Sequence, residues 1–411
     1  MKKTLLAAAL TVGFFGVAQA ETSVTLYGIL DGGIGYQQVK GNDSRSNVRT
    51  SADDVKYTRT GLINGVQSGN RWGLKGAEDL GNGLRAVFQL ESGFDLGRGT
   101  SGQGGRLFGR HATLGLSSDA WGQLDFGRQT NIASKYLPAV ADPFGAGFDQ
   151  AAIGAAFTAA NTARYDNMIM YQTPNFSGFQ FGVGYSFNMD GQQSWRVGGT
   201  DDTNKRAITT GLRYGNGPIA VALTYDTFKV KGTPAGAATV TTTVDPVTNL
   251  PVFTVVPGTG ATSDTTVKSW NLGGSYDFEV VKAYAAFGQT RNGFFTPQGF
   301  LSNGIPEGAN NFTGNTAADG LKINSYLLGV SAPLGNGTLM ASWTMADPTS
   351  APNGADAAGE EWDKQQTYSL GYTYGLSKRT NLYAIGSYQK HVNMMPDMKG
   401  TLVGVGIRHQ F

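Results

Sequence analysis

Apolar and polar side chains alternate with a period of two in one segment after another, and this feature limits the available folds most. Phe179, Phe181, Val183, Tyr185 and Phe187 alternate with Gln180, Gly182, Gly184 and Ser186. Trp270, Leu272, Gly274, Tyr276 and Phe278 alternate with Ser269, Asn271, Gly273, Ser275 and Asp277. Tyr368, Leu370, Tyr372 and Tyr374 alternate with Thr367, Ser369, Gly371 and Thr373, and Leu84 to Glu91 behaves the same way. A period of two places successive side chains on opposite faces of a strand, so each segment has one apolar and one polar face. Composition closes off the alternatives. Among 411 residues there are 60 Gly, 17 Tyr and 22 Phe, and only 15% are charged. No stretch of the mature chain supplies the roughly 20 apolar residues of a membrane helix. The absence of Cys excludes disulfide scaffolds and Cys-ligated zinc or iron–sulfur sites.

The connections between strands carry the stronger signal. Tight turns are written at Asp79-Leu80-Gly81-Asn82-Gly83, Asp119-Ala120-Trp121-Gly122, Pro174 to Gly178, Gly215 to Pro218, Leu334 to Gly337 and Gly375 to Lys378, with a weaker one near Asp277 to Val280. Gly and Asn-Gly supply the positive φ that such hairpins need. Long polar segments lie between them, at about 38–69, 92–106, 130–163, 188–204, 231–266, 292–320, 347–364 and 393–399. Seven turns and eight loops, alternating, join 16 strands. A soluble sandwich has no reason to collect its long loops on one side; a transmembrane barrel has short turns at one rim and long loops at the other. Hydrocarbon forces closure, because an open sheet edge there leaves backbone groups unpaired. A barrel of this size encloses water. The expected fold is therefore all-β: a 16-stranded antiparallel transmembrane β-barrel occupying residues 21–411, without a domain boundary.

The ends agree with export. Lys2 and Lys3 precede an apolar run from Leu5 to Ala18, and Ala18-Gln19-Ala20 is an A-x-A cleavage site, so residues 1–20 read as a signal peptide. Without Lys2 and Lys3 the chain has 30 basic against 30 acidic residues, a balance that gives no reason to expect nucleic acid. The final strand, Thr401 to Phe411, alternates and stops on an aromatic residue. Phe411 is accordingly expected to be the signal read by the outer-membrane barrel assembly machinery.

The sequence resembles the general porins of Gram-negative outer membranes, specifically the trimeric β-proteobacterial type. The resemblance spans the mature chain. It is carried by Ser23-Val24-Thr25-Leu26-Tyr27-Gly28, the run Arg71 to Gly83, Phe126-Gly127-Arg128-Gln129, Arg164-Tyr165-Asp166-Asn167 and Gly406-Ile407-Arg408-His409-Gln410-Phe411. It implies a homotrimer in contact with outer-membrane lipid and lipopolysaccharide, passive diffusion of small hydrophilic solutes and ions, and a third loop, here about 130–163, folded into the barrel. In the trimer, the apolar residues of the first and last strands are expected to face a neighbouring subunit.

A pore selects by width and by the charges on its wall. The resemblance implies a basic cluster opposite the third loop, and Arg71, Arg110 and Arg164 fit it. Alternation supports two of them. Trp72 and Leu74 form the apolar row, so Arg71 and Lys75 point to the lumen; Tyr165, Ile169 and Tyr171 do the same for Arg164 and Asp166. Arg110 shares a row with Phe108, Ala112 and Leu114, and its inward placement rests on the resemblance and on the cost of a charge in lipid, about 2–4 kcal/mol at mid-depth. Arg85 falls on the inward row with Gln89 and Glu91, and the direction of Arg128 is open. The third loop offers two acids, Asp142 and Asp149, and its segment Ala151 to Phe157 is small and apolar, suited to packing on a wall or to a short surface helix. More wall cations than loop carboxylates predict weak to moderate anion selectivity.

Other functions fare less well. A barrel enzyme needs a nucleophile with an orienting base, and the three histidines, His111, His391 and His409, stand in no such motif. A substrate-specific porin with a defined solute site is the alternative function. A soluble secreted β-protein has no reason to collect its long loops on one side, and heat-modifiable migration with a trimer band in detergent would discard it. No cofactor or metal is expected; Asp201-Asp202 and Glu360-Glu361 read as solvated loop charges, with a divalent-cation site as the alternative.

Overall fold

A computed structural model of the chain describes residues 23–196, 202–231, 239–244, 251–256, 264–296 and 315–411. The expected signal peptide, 1–20, and Asp201 lie outside them. Alternating segments pair with their sequence neighbours throughout. In order they are β1 (Ser23–Asn42), β2 in two parts (Asp54–Asn64 and Arg71–Gly81), β3 (Leu84–Gly93), β4 (His111–Ser118), β5 (Gly122–Thr130), β6 (Arg164–Gln172), β7 (Phe179–Ser186) and β8 (Ala207–Asn216). They continue as β9 (Ile219–Val230), β10 (Thr265–Asp277), β11 (Lys282–Phe294), β12 (Thr316–Leu334), β13 (Gly337–Ser350), β14 (Gln365–Gly375), β15 (Thr380–Lys390) and β16 (Lys399–Gln410). The last strand closes on the first, from Ile29 opposite Gln410 to Lys40 opposite Lys399. The result is a closed 16-stranded antiparallel barrel, with all seven short turns where the sequence places them.

One segment departs from the expectation. Most of 38–69 is strand rather than loop: β1 runs to Asn42, and Asp54–Asn64 pairs back onto it. The lower part of β2 then pairs with the start of β1, Ser23 opposite Ala77 through Ile29 opposite Arg71. Between the two parts, residues 65–70 leave the ladder. The side chain of Asn70 takes the missing strand's place by accepting the Asp31 N–H at 2.6 Å, and the Asp31 carboxylate accepts the Ser68 N–H at 2.6 Å. A two-stranded ribbon, Thr239–Val244 with Pro251–Val256, stands in the expected loop 231–266.

The two rows of each strand are exposed in the opposite sense to a soluble protein. On β10, Leu272 is 46% and Tyr276 44% exposed, whereas Asn271 and Ser269 are each 1% exposed. Apolar side chains therefore coat the outside and polar ones line the interior, an arrangement that is stable only against hydrocarbon.

The interior is not empty. Loop 3, residues 131–163, enters the barrel and carries one helix, α1 (Ile132–Ala141). Its buried residues Ile132, Tyr136, Leu137 and Ala141 belong to one cluster that also holds Ala222 on β9 and Ala286 on β11. Inward-row glycines permit this approach. A Cβ on Gly182 would stand 2.5 Å from Ile132, one on Gly273 2.8 Å from Ala141, and one on Gly371 2.8 Å from Phe144. The segment Ala151 to Phe157 is almost wholly buried, as its apolar sequence suits, and forms short 3-10 turns.

Candidate functional site

Strand register brings the arginines to one level. Arg71 lies opposite Gly93, and Glu91 on the same strand lies opposite His111. Ala112 lies opposite Arg128, and Thr130 opposite Arg164. Arg71, Arg110, Arg128 and Arg164 thus form a belt across β2 to β6, and Arg164 experiences the other three electrostatically.

Their partners differ. Arg110 donates from Nε to Glu91 Oε1 at 2.6 Å, and Glu91 Oε2 accepts from the Tyr27 hydroxyl at 3.0 Å. Arg128 pairs with Asp166 at 2.6 Å and donates to the Gly109 carbonyl at 2.7 Å; Arg106 also pairs with Asp166, at 2.8 Å. A register shift between β5 and β6, with Asn167 at φ 49°, accommodates this group and explains why simple alternation leaves Arg128 open. The same shift turns Tyr165 inward, where it is fully buried, instead of joining the outer row of Ile169. Arg71 and Arg164 donate to backbone carbonyls, Gly69 at 2.9 Å and Thr162 at 3.2 Å, and have no carboxylate partner among the described residues.

Lys75 continues the Arg71 row, its Nζ 5.3 Å from the Tyr27 ring centre. Arg85 does not join the belt. It pairs with Asp119 of a tight turn at 2.5 Å. Eight residues separate it from Gly93 along β3, about 26 Å at strand rise.

Loop 3 forms the other side. Its path runs from α1 on β8 to β11 towards β15, where Phe148 meets Tyr383 edge-on at 5.6 Å. Gly147 abuts the Gln67 backbone, so the loop touches the 65–70 excursion. Asp142 faces its own loop rather than the belt. Its carboxylate accepts from the backbone N–H of Phe144 at 2.8 Å, Ala146 at 3.0 Å and Ile153 at 2.9 Å. Burial pushes it up to about 6 against the lowering effect of those donors, so it is ionised at neutral pH but enclosed. Asp149 does face the lumen, in a 650 Å³ cavity that it shares with Arg59, Arg98 and Arg110. The loop's single cation, Lys135, donates to Gln129 Oε1 at 3.0 Å. It lines a second cavity of 360 Å³ with Lys75, His111 and Asp125.

Of the residues named from the sequence, Arg71, Arg110 and Arg164 lie at one level, whereas the sequence does not single out Glu91, Lys135, Asp125 and Arg59 as site residues. Alternation had already turned Glu91 inward; its pairing with Arg110 follows from register alone. Phe411 pairs with Gly28, N–H to carbonyl in both directions at 3.1 and 3.2 Å. Asp202 is held by Arg206 at 2.7 Å, Glu361 by Arg49, and Glu360 by the Trp362 indole at 3.2 Å. Among the described residues no three His, Asp or Glu side chains converge to hold a metal.

Comparison with known proteins gives consistent matches. The family model described as Gram-negative porin matches residues 6–393. An outer membrane porin protein of Bordetella pertussis is 53% identical, covering 100% of both chains. Outer membrane porin protein 32 of Delftia acidovorans is 31% identical, again over 100% of both. Among solved structures, the anion-selective porin from Comamonas acidovorans superposes with a TM-score of 0.63 at 28% identity, covering 95% of this chain and 100% of that one.

Proposed function

The chain belongs to the Gram-negative porin family, and from that premise we propose that it conducts small hydrophilic solutes and ions by passive diffusion with a weak preference for anions. It is an outer-membrane channel protein and not an enzyme. One observation carries the preference: Arg71 and Arg164 have no carboxylate partner among the described residues, while the Asp142 carboxylate of the facing loop is buried and turned onto its own backbone. The belt thus presents net positive charge to a water-filled gap, and charge on a pore wall biases which ions enter. The anion-selective character stated for the Comamonas porin supports the same reading. A homotrimer would cover the exposed apolar rows of β1 and β16, including Ile34 at 68% and Val405 at 58% exposure. Lipid and lipopolysaccharide would contact the remaining outer face, and the assembly machinery would read Phe411.

The test is a planar bilayer holding the purified chain between unequal KCl solutions. A reversal potential of the sign set by chloride supports the proposal, and a clear potassium preference refutes it. Saturable block of the current by one solute would point instead to a substrate-specific channel.

A further inference from the structure

Between Asn131 and Ala163 loop 3 has one basic residue, Lys135. Its position follows from the helix. Ile132, Tyr136, Leu137 and Ala141 are buried, and at about 100° per residue Lys135 falls outside their arc, on the same edge as the exposed Ala139. That edge looks across the gap towards β2 to β5. The ammonium donates to Gln129 Oε1 and shares the 360 Å³ chamber with Lys75, His111 and Asp125. Among the described residues no carboxylate lies within ion-pair reach of it. Asp125, the acid it senses, accepts the Gln123 amide at 2.9 Å on both oxygens. At this level the inserted loop therefore faces the wall with a cation, the reverse of the charge that its two acids would suggest.

We propose that Lys135 is a specificity-determining residue of the channel, supplying the loop's half of a cationic slot whose other half is Lys75, next to the arginine belt. The proposal rests on the anion-preferring reading above and adds the group on the loop that sustains it. Chloride crossing the slot meets an ammonium on each side, Lys135 on the loop and Lys75 on the wall, opposed by the one carboxylate of the chamber, Asp125.

Burial pushes the Lys135 ammonium down to about 8, with Asp125 acting in the opposite sense. As pH rises through that value the loop side of the slot loses its charge, so the anion preference falls with rising pH. The charged and titratable groups around it are Asp125, His111 and Lys75 in the chamber. Glu91, Arg110 and Arg164 act on His111. Behind α1, Arg213 stands 4.9 Å over the Tyr136 ring and Asp226 accepts from Asn131 at 2.7 Å.

The experiment measures reversal potential in a KCl gradient from pH 6 to 9.5 for the full-length mature channel and for Lys135→Arg and Lys135→Met. Migration in detergent before and after heating confirms that each variant is folded. One unit charge at the slot changes the chloride-to-potassium ratio about threefold at 0.1 M salt. The unsubstituted channel is expected to fall by about that factor with a midpoint near 8. Lys135→Arg should hold the high ratio throughout, and Lys135→Met the low one. A flat profile in the unsubstituted channel, an unchanged ratio in Lys135→Met at pH 6, or a full-sized fall in Lys135→Arg overturns the assignment. Potassium preference at every pH instead overturns the reading on which it rests.

Discussion

Replacing Arg164 with methionine isolates the charge of the belt from its packing. Met has nearly the length of the arginine stem and no charge. The charges that act on the guanidinium are mostly other cations, Arg110, Arg128 and Arg71, with Glu91 a weaker opposing influence. Its hydrogen-bond partner is the Thr162 carbonyl at 3.2 Å, so no carboxylate is orphaned. An ion passing about 7 Å from a guanidinium in water gains or loses about 0.6 kcal/mol. A Debye length of about 10 Å at 0.1 M halves this to about 0.3 kcal/mol. Chloride gains and potassium loses the same amount, so removing one charge divides the permeability ratio by about 3, and by about 7 where screening is weak. Glu91→Gln removes an anion from the same belt and should raise the ratio by a similar factor. Arg85→Met is the control: its charge is met by Asp119 at a turn, so the ratio should not move. Reversal potentials in a tenfold KCl gradient read all three. If Arg164→Met and Glu91→Gln shift the ratio in the same direction, or Arg85→Met shifts it as far as Arg164→Met, the electrostatic account of the belt fails.

Further predictions concern how the loop is held. Asp226 on β9 accepts from Asn131 at 2.7 Å and from Tyr165 at 3.3 Å, both buried. Asp226→Leu takes the acceptor from the buried Tyr165 hydroxyl and from one Asn131 amide hydrogen, Asn131 keeping the Ala159 carbonyl at 2.8 Å. At about 1–3 kcal/mol for a buried group left unpaired, open-channel current noise should rise and the unfolding midpoint in detergent should drop; quiet channels of unchanged stability would show that the contact is idle. Gly147→Val sets a Cβ 2.2 Å from the Gln67 carbonyl oxygen, which neither backbone can absorb in place. The loop and the 65–70 excursion must then part, and single-channel conductance should increase; equal or lower conductance contradicts this. Phe411→Ser loses a half-exposed ring over Gly28, a stability change of only about 1 kcal/mol, yet the yield of folded barrel in membranes should fall several-fold. Equal yields would remove the assembly role.

The barrel was legible because a bilayer imposes a one-dimensional rule on every strand that crosses it. Leu272 and Asn271 show the rule at its plainest, one facing hydrocarbon and the next facing water. The upper part of β2 was not legible, for the same reason inverted. Asp54–Asn64 reads DVKYTRTGLIN, and its side chains are exposed or partly exposed up to Ile63. Water on both faces selects no period, so a genuine strand looks like a polar loop. Register shifts hid the next layer: one extra residue near Asn167 reverses the rows of β6, putting Tyr165 against the loop and Asp166 against Arg128.

A sum of charges does not describe the field inside the pore, and Asp142 shows why. Neutral backbone donors leave a carboxylate its charge, but one that is buried and turned onto its own loop cannot approach a passing cation and acts on the lumen only from a distance. The sequence Asp142-Pro143-Phe144-Gly145 has the composition of a turn in which the first side chain caps its own backbone. The Phe144 N–H on Asp142 is that cap, extended by Ala146 and Ile153. The residue type announced a charge, while the three residues after it announced the direction in which the carboxylate would face. Lys135 is the opposite case, a lone cation in a helix whose other face is apolar, so burying that face leaves it directed at the wall. The glycines of the inward rows, Gly182, Gly273 and Gly371, mark the track on which the loop lies. Direction inside the pore was thus encoded locally, in turn chemistry and in which inward positions lack a side chain, rather than in the sum of charges.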